Sequence, residues 1–373
     1  MLDLNKIISF YYGWWKNIDK FILFLIIVLF TLGLFFSLVS TSIIASDKLN
    51  TNNYYFFLKH LLFVLIGVII IITFSAVEKK RLFQISNFLF LIFFIFLALI
   101  PFIGIEVKGS MRWIDFPFIP RFQPIEILKP FLIIVLSAAF TFNNQMNIYL
   151  KYLLSFFIIL PVILFLVSQP DIGQTLLILL TWFSLIFISG INLIFFFSFF
   201  IFAFSTLIYL VLYISKFEYI KIRLMSFLNP KTGNNYQSER ASEAISNGGF
   251  FGQGIGEGTL NSKVPEAHTD YIISVISEEF GIIIVFAILI IFIIFSYNII
   301  KKIDHENDDK VKLILFGIVS IILFQTFIHI GVNIRLLPTT GMTLPFLSYG
   351  GSSIISTSIL SGIILNLTRR ELK

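Results

Sequence analysis

The residues best suited to chemistry lie in PEAHTD (265–270), a polar stretch that comes directly before a long apolar run. It brings together Glu266, His268, Thr269 and Asp270. Thr or Asp at such a place can cap a helix by accepting hydrogen bonds from its first backbone N–H groups. A positioned carboxylate can instead act as a general base. The spacing alone supports capping and catalysis equally, and both stay open at this point.

A basic cluster lies in VKGSMRWIDFPFIPRFQPIEILKP (107–130). Lys129 falls several residues into an apolar run, where a charge costs about 2.5–3.5 kcal/mol on insertion scales. Glu126 stands three positions earlier on the same helix and can offset part of that cost. Arg121 and Lys129 together could form a cationic pocket that holds a diphosphate. The alternative for Glu126 and Lys129 is an ordinary surface ion pair.

Arg112 and Trp113 belong to the same stretch and are expected in a loop. An aromatic residue there can simply anchor the chain at the membrane surface. This reading and a ligand-binding role are equally supported.

Three other stretches carry unusual residues. The glycine spacing of NGGFFGQGIGEGTLNS (247–262) resembles a dinucleotide fingerprint, but without a βαβ unit it predicts backbone turns near a bulky ligand, or a flexible loop. Glu278 and Glu279 fall inside an apolar run, so at least one should face a polar cavity or a cation. The segment NIRLLPTTGMTLPFLSYGGSS (333–353) fits either close helix packing or an opening for a lipid-linked substrate.

The composition decides which elements hold these clusters. The chain has 373 residues, of which 57% are hydrophobic and 13% charged, whereas soluble domains are about 45–50% apolar and 25% charged. We therefore predict an all-α polytopic membrane protein of about ten transmembrane helices. The predicted spans lie near 20–42, 60–77, 83–104, 124–142, 151–168, 172–190, 192–214, 271–299, 312–334 and 344–367.

Ten spans place both termini on one side of the membrane. Lys and Arg are concentrated in the short segments on that side, which predicts cytoplasmic termini. The whole chain, 1–373, is expected to form a single transmembrane domain with a large extracytoplasmic loop, 215–270, between helices 7 and 8. The net charge of +6 then reflects membrane orientation, and no nucleic acid partner is expected.

No protein metal site is expected. The chain has no cysteine, which removes thiolate ligands. Its four histidines are far apart in the sequence. His329 stands alone in a predicted span, where a packing role is expected.

Six stretches in order resemble the SEDS family of bacterial membrane proteins, the group for shape, elongation, division and sporulation. They are KGSMRWID, RFQPIEILKP, SQPDIGQ, GGFFGQGIGEG, PEAHTDYIISVISEEFG and LPTTGMTLPFLSYGGSS. The forms PEAHTD and TTGMTLP are more similar to the division branch than to the elongation branch, which more often has Arg where Ala267 stands. Met111 and Ile125 depart from the usual family residues without removing a charged candidate.

The resemblance implies a peptidoglycan glycosyltransferase with the SEDS fold that polymerises lipid II, a disaccharide-peptide on undecaprenyl diphosphate. Asp270 matches the family's essential aspartate, Arg121 and Lys129 its required basic pair, and Trp113 a required aromatic residue. Glu126 joins them as a candidate substrate-binding residue.

His268 and Glu266 complete the candidate substrate-binding residues. No cofactor is required by this chemistry, although a divalent cation, Mg²⁺ or Mn²⁺, could assist. The implied partners are lipid II, a class B penicillin-binding protein transpeptidase and other divisome proteins. The implied location is the bacterial inner membrane at the division septum.

The chemistry expected is an inverting hexosyl transfer. Asp270 would deprotonate the acceptor 4-hydroxyl group, and one base suffices because the diphosphate leaves as an anion, unlike the case of glycosidases, which need two carboxylates. The rival interpretations are a lipid II flippase or other transporter, a noncatalytic scaffold that recruits a transpeptidase, and a polymerase of the elongation branch.

Overall fold

The computed structural model describes residues 12–42, 54–107, 110–117, 119–143, 145–214, 217–229, 236–260 and 263–369. Its main helices are α1 (Lys20–Ser42), α2 (Tyr55–Ala76), α3 (Lys79–Ile103), α4 (Pro124–Phe140), α5 (Ile148–Ser168), α6 (Ile172–Ile188), α7 (Leu193–Tyr213), α8 (Glu218–Leu228), α9 (Tyr236–Gly248), α10 (Ile272–Phe280), α11 (Ile282–Asp304), α12 (Asp309–Asn333) and α13 (Gly351–Leu367). The strands are β1 (Ile105–Val107), β2 (Ser110–Phe116) and β3 (Ile119–Phe122).

Apolar helices make up most of the fold. Among the described residues, seven helices are long and apolar enough to cross a membrane. The helices α4, α6 and α13 have 17 residues each, which at 1.5 Å per residue is slightly short of a bilayer core of about 30 Å. The predicted multi-pass helical membrane fold is confirmed. The number of helices that cross the membrane stays a prediction.

The predicted span 271–299 is wrong as a single helix. The chain forms α10 and α11, separated at Gly281, whose φ is +82°. A Cβ atom at Gly281 would collide with the backbone oxygen of Phe250. The helix therefore breaks where another backbone approaches, in a conformation that glycine adopts at low cost.

The assignment to the all-α class is incomplete, because the chain also forms a three-stranded antiparallel sheet. Arg112 and Trp113 lie in β2 rather than in a loop, and Trp113 is paired with Ile105 of β1. Phe116 and Phe122 stack at 6.2 Å between ring centroids and pack edge-on against α3. This apolar face holds the sheet on the helical bundle.

The segment predicted as a large loop, 215–270, contains two helices in its described part, α8 and α9. Helix α9 packs against α10, with Ala241 and Ala244 fully buried. Small residues on this face let the two helices approach closely.

Polar contacts join residues at the ends of several helices. Lys302 forms an ion pair with Asp19, with 2.6 Å between Nζ and Oδ2. The side-chain amide of Asn366 donates to the backbone oxygens of Phe74 and Val77 at the end of α2. These bonds satisfy carbonyl groups that a helix terminus leaves without partners.

Candidate functional site

The stretch 265–270 forms a tight turn. Glu266 has a left-handed backbone with φ of +56°, and its oxygen accepts from the backbone N–H groups of Thr269, Asp270 and Tyr271 at 3.1–3.3 Å. Helix α10 begins only after this turn, with Tyr271 at the N-cap position. Tyr271, rather than Thr269 or Asp270, therefore holds the N-cap position of α10.

This turn packs against the segment 334–350, which we name the α12–α13 connection. The Ser348 hydroxyl donates to the backbone oxygen of Thr269 at 2.6 Å. The backbone N–H of Tyr349 donates to the backbone oxygen of His268 at 3.0 Å. The two segments thus form one hydrogen-bonded unit.

Asp270 is half-buried at this junction. Its backbone oxygen accepts from the side-chain amide of Asn333 at 3.1 Å. A Cβ atom added at Gly341 would lie 3.4 Å from Oδ2 of Asp270, so the carboxylate lies against the α12–α13 connection. Burial raises the pKa of the neighbouring Tyr271 phenol, and the negative charge of Asp270 raises it further. Tyr271 therefore stays protonated beside the Asp270 carboxylate.

The ring of His268 belongs to an aromatic cluster. Its centroid lies 4.8 Å from that of Phe56 and 5.7 Å from that of Tyr349. Tyr349 in turn lies 6.0 Å from His60, which is fully buried. The cluster attaches the PEAHTD turn to α2.

Glu126 and Lys129 form a buried ion pair on α4. Their side chains are 7% and 1% exposed, with 2.8 Å between Lys129 Nζ and Glu126 Oε2. The pair is therefore internal and is not the surface pair considered above. The Gln174 amide donates to Glu126, and Lys129 donates to Oε1 of Gln325 at 3.1 Å. Such hydrogen bonds reduce the cost of burying two charges.

Arg121 has different surroundings from Lys129. Its side chain is 61% exposed and bonds to Asp115 at 2.9 Å. Of the predicted cationic pair, one member is thus exposed near the sheet and the other is buried within the bundle. Trp113 is half-buried on β2.

A buried network attaches the sheet to the turn between α5 and α6. Arg112 donates to the backbone oxygen of Gln169 at 3.2 Å and lies 3.6 Å from Asp171. Asp171 also accepts from Gln123 and, as the N-cap of α6, from the N–H of Gln174. Burial raises the pKa of the Asp171 carboxyl group, and the positive charge of Arg112 opposes this rise. Asp171 thus caps the start of α6 and also attaches it to the sheet.

Gln325, which no sequence motif identified, extends the buried contacts of Lys129 to the α12–α13 connection. Its Nε2 donates to the backbone oxygen of Thr343 at 2.9 Å. His329 contacts the backbone oxygen of Met342 through Nδ1 at 2.7 Å, which agrees with a packing role. Gln325, His329 and Asn333 are each four positions apart and therefore lie on one face of α12. This spacing was the sequence signal that could have identified Gln325.

The glycine-rich stretch, in its described part, packs against α10 rather than forming merely a flexible loop. The backbone N–H groups of Gln253 and Gly254 donate to the oxygens of Glu278 and Glu279 at the end of α10. A Cβ atom at Gly248 would collide with the backbone oxygen of Ser277. Glycine is needed here because two backbones are in contact.

The carboxylates of Glu278 and Glu279 bind the same stretch. Glu278 Oε1 accepts from Nδ2 of Asn247 and from the N–H of Leu260, both at 2.9 Å. Glu279 accepts from the N–H of Gly256. The expected polar environment is present, and N–H groups supply it in the contacts described.

A cavity of about 210 Å³ opens beside the α12–α13 connection. Arg223 and Arg335 line it together with Thr339. Arg335 also forms an ion pair with Glu239, with 3.8 Å between Nη2 and Oε1.

No group of three or more His, Asp or Glu side chains that could hold a metal ion occurs within the described residues. A divalent cation therefore stays an expectation from the resemblance.

Comparisons with known proteins support the resemblance over nearly the whole chain. The sequence profile FTSW_RODA_SPOVE, described as "Cell cycle protein", matches residues 19–373. The "Probable peptidoglycan glycosyltransferase FtsW" of Pasteurella multocida is 34% identical over 94% of this chain and 90% of its own length. The protein with the same name from Caulobacter vibrioides is 30% identical over 96% and 91%.

The fold is also similar to that of solved structures. A chain from "Structural coordination of polymerization and crosslinking by a peptidoglycan synthase complex" matches with a TM-score of 0.75 and 25% identity. The match covers 94% of this chain and 97% of that chain. With the motifs and the profile match, these similarities show that the chain belongs to the FTSW_RODA_SPOVE cell cycle protein family, the SEDS family.

Proposed function

We propose that the protein is a peptidoglycan glycosyltransferase that polymerises lipid II into glycan strands during septal wall synthesis. Relatives named as glycosyltransferases align with nearly the whole chain. The observation that carries the proposal is the placement of Asp270. It is half-buried, fixed through its backbone by Asn333, and adjacent to the α12–α13 connection.

In the proposed reaction, Asp270 acts as the general base. It accepts the proton from the 4-hydroxyl group of the acceptor sugar while that oxygen forms a bond to the anomeric carbon of the donor. The bond between the anomeric carbon and the diphosphate oxygen breaks, and undecaprenyl diphosphate leaves with the electron pair. Attack opposite the leaving group inverts the anomeric centre. A positioned base of this kind contributes about 10²–10⁴ in rate.

The leaving diphosphate needs positive charge rather than a proton. Arg121 is exposed and can exchange the Asp115 carboxylate for a phosphate oxygen. Lys129 has three N–H donors, of which Glu126 and Gln325 engage two in the described contacts. Glu126 acts in this scheme through Lys129, which it holds in place.

Substrate contacts are also proposed for Trp113, Glu266 and His268. Trp113 is half-buried on the sheet, and the other two belong to the turn that holds Asp270. The undecaprenyl chain would lie between helices and face the lipid. No step requires a divalent cation.

The proposed setting is the bacterial inner membrane at the septum, with both termini in the cytoplasm. The 215–270 segment would then be extracytoplasmic within a single transmembrane domain. A class B penicillin-binding protein and other divisome proteins are the proposed partners. A role in elongation with a different transpeptidase is the alternative within the family.

Transport of lipid II is the second candidate function. The buried pair of Glu126 and Lys129 supports it, because ionisable residues inside a bundle often mark a pathway. A transporter would tolerate Asp270→Asn in polymerisation assays of its complex but would lose translocation when the buried pair is disrupted. A scaffold would tolerate both changes as long as its partner still binds.

The test uses the full chain, purified in complex with its transpeptidase partner and supplied with labelled lipid II. We expect polymer from the native complex and none from Asp270→Asn. Asp309→Asn, at an exposed carboxylate paired with Lys312, serves as the control. Equal polymer from the native and Asp270→Asn complexes would exclude Asp270 as the base. No polymer from any complex would contradict the enzyme proposal.

A further inference from the structure

Gln325 forms a bridge between two parts of the site that are far apart in sequence. Its carbonyl oxygen accepts from Lys129 at 3.1 Å, and its amide nitrogen donates to the backbone oxygen of Thr343 at 2.9 Å. One side chain therefore contacts both the cation on α4 and the α12–α13 connection. Gln325 is 5% exposed, so water does not readily replace either bond.

The Thr343 end of the bridge leads to Asp270 through a short stretch of backbone. Gly341, two residues before Thr343, lies against the Asp270 carboxylate. Between them, the backbone oxygen of Met342 is in contact with His329. Thr343 is itself held by its hydroxyl bond to Ser353 at 2.8 Å. The position of Thr343 is thus coupled to the place where Asp270 lies.

The Lys129 end of the bridge is equally constrained. Glu126 binds the ammonium group from its own helix, but a contact from the same helix does not fix that group relative to α12 or the α12–α13 connection. Gln325 is the described contact that does so. A glutamine suits this position because it is neutral and carries both an acceptor and a donor.

We propose that Gln325 is a positioning residue for glycan polymerisation. It holds the Lys129 ammonium group and the segment beside Asp270 at a fixed separation, so that the leaving diphosphate and the attacking hydroxyl meet in the correct geometry. The proposal rests on the proposed function. A misplacement of about 1 Å can cost about a hundredfold in rate.

The test compares three substitutions with a control in the purified complex, using labelled lipid II. Gln325→Met removes both bonds at similar volume. Gln325→Glu keeps an acceptor for Lys129 but loses the donor to Thr343, and Gln325→Asn is too short to span both partners. Thr326→Val is the control, because the buried Thr326 hydroxyl bonds within its own helix, to the oxygen of Ile322.

We expect Gln325→Met and Gln325→Asn to lower kcat about ten- to a hundredfold, with the KM for lipid II changed less than threefold. Gln325→Glu should retain part of the lost rate, and Thr326→Val should be close to native. Complex formation should be similar in all four variants. Gln325→Met should have a lower unfolding midpoint, because it leaves buried groups without partners, but kcat should not follow the midpoint across the series. This separation of kcat from KM and from stability distinguishes positioning from a purely structural role.

Native kcat in both Gln325→Met and Gln325→Asn would overturn the inference. So would an equal loss in Thr326→Val, or a loss of rate that follows the loss of assembled complex across the series. If Gln325→Met does not assemble, Gln325→Asn and Gln325→Glu decide. Absence of polymer from the native complex would contradict the proposed function itself, whereas native polymer with unchanged Gln325 variants contradicts only this inference.

Discussion

The side-chain amide of Asn333 donates a hydrogen bond to the backbone oxygen of Asp270 at 3.1 Å, although the two residues are 63 positions apart. The same nitrogen donates to the oxygen of His329 on its own helix at 2.8 Å. Asn333 is fully buried at the end of α12. The last turn of α12 thereby fixes the backbone position of Asp270, the proposed base.

We expect Asn333→Ala to reduce polymerisation more than it reduces complex formation. The substitution leaves the backbone oxygen of Asp270 without this partner, which costs about 1–3 kcal/mol and loosens the turn. Asn298→Ala is the control, since the described contact of its amide is within its own helix, to the oxygen of Ile294. Polymerisation and thermal unfolding of the complex measure both effects. Equal activity in the two variants would contradict the role of Asn333.

The buried ion pair gives a prediction that separates stability from activity. Lys129→Met leaves the Glu126 carboxylate buried without its cation, and breaking such a pair costs about 3–5 kcal/mol. The double variant Glu126→Gln/Lys129→Met has no charge at either position of the pair and should recover most of the thermal stability. We expect neither variant to make glycan strands.

Thermal unfolding in detergent and polymerisation of labelled lipid II are the measurements for this pair. Full polymerase activity in the double variant would show that Lys129 is only structural. A double variant as unstable as Lys129→Met would contradict the account of the pair as a compensated burial of two charges.

Arg121 should act on substrate binding and not on the fold. Its bond to Asp115 is exposed, and exposed pairs contribute about 0–1 kcal/mol. We expect Arg121→Ala to raise the KM for lipid II with little change in the unfolding midpoint. Asp115→Ala, the matched control for the lost ion pair, should not raise KM. An equal rise of KM in both variants would mean that the ion pair determines KM, rather than a contact from the Arg121 guanidinium to the substrate.

The glycine-rich stretch offers a test at two neighbouring residues. Gly248→Ala places a Cβ atom against the backbone oxygen of Ser277, and crowding of this kind costs about 1–3 kcal/mol. Gly249→Ala has open space around its Cβ atom and a φ of +57°, which costs about 1 kcal/mol. We expect faster proteolysis within 249–260 and a lower unfolding midpoint for Gly248→Ala. The reverse order would contradict the packing of this stretch on α10.

The helices were largely predictable, since the membrane requires about 20 apolar residues for each span. The break at Gly281 was not predictable, because its cause is the backbone of Phe250, which lies distant in sequence. The sheet was missed because β2 has no strict alternation of polar and apolar residues, and its burial depends on α3.

The candidate site shows the same division between local and distant information. Motifs identified Asp270, the proposed base, and Glu126 and Lys129, which belong to the proposed substrate-binding residues. Gln325 was missed because a single glutamine in an apolar run does not indicate its partners. Its two bonds join residues from α4 and the α12–α13 connection, and only the folded chain brings these together.

Three of the contacts around Asp270 share a property: a side chain donates, and a backbone oxygen accepts. Asn333 and Ser348 bind the oxygens of Asp270 and Thr269, and Gln325 binds that of Thr343. A backbone oxygen is present whatever side chain its residue carries. Tolerance to substitution should therefore be one-sided: a change at a donating position removes a bond that places the carboxylate, whereas many changes at a receiving position leave that bond intact.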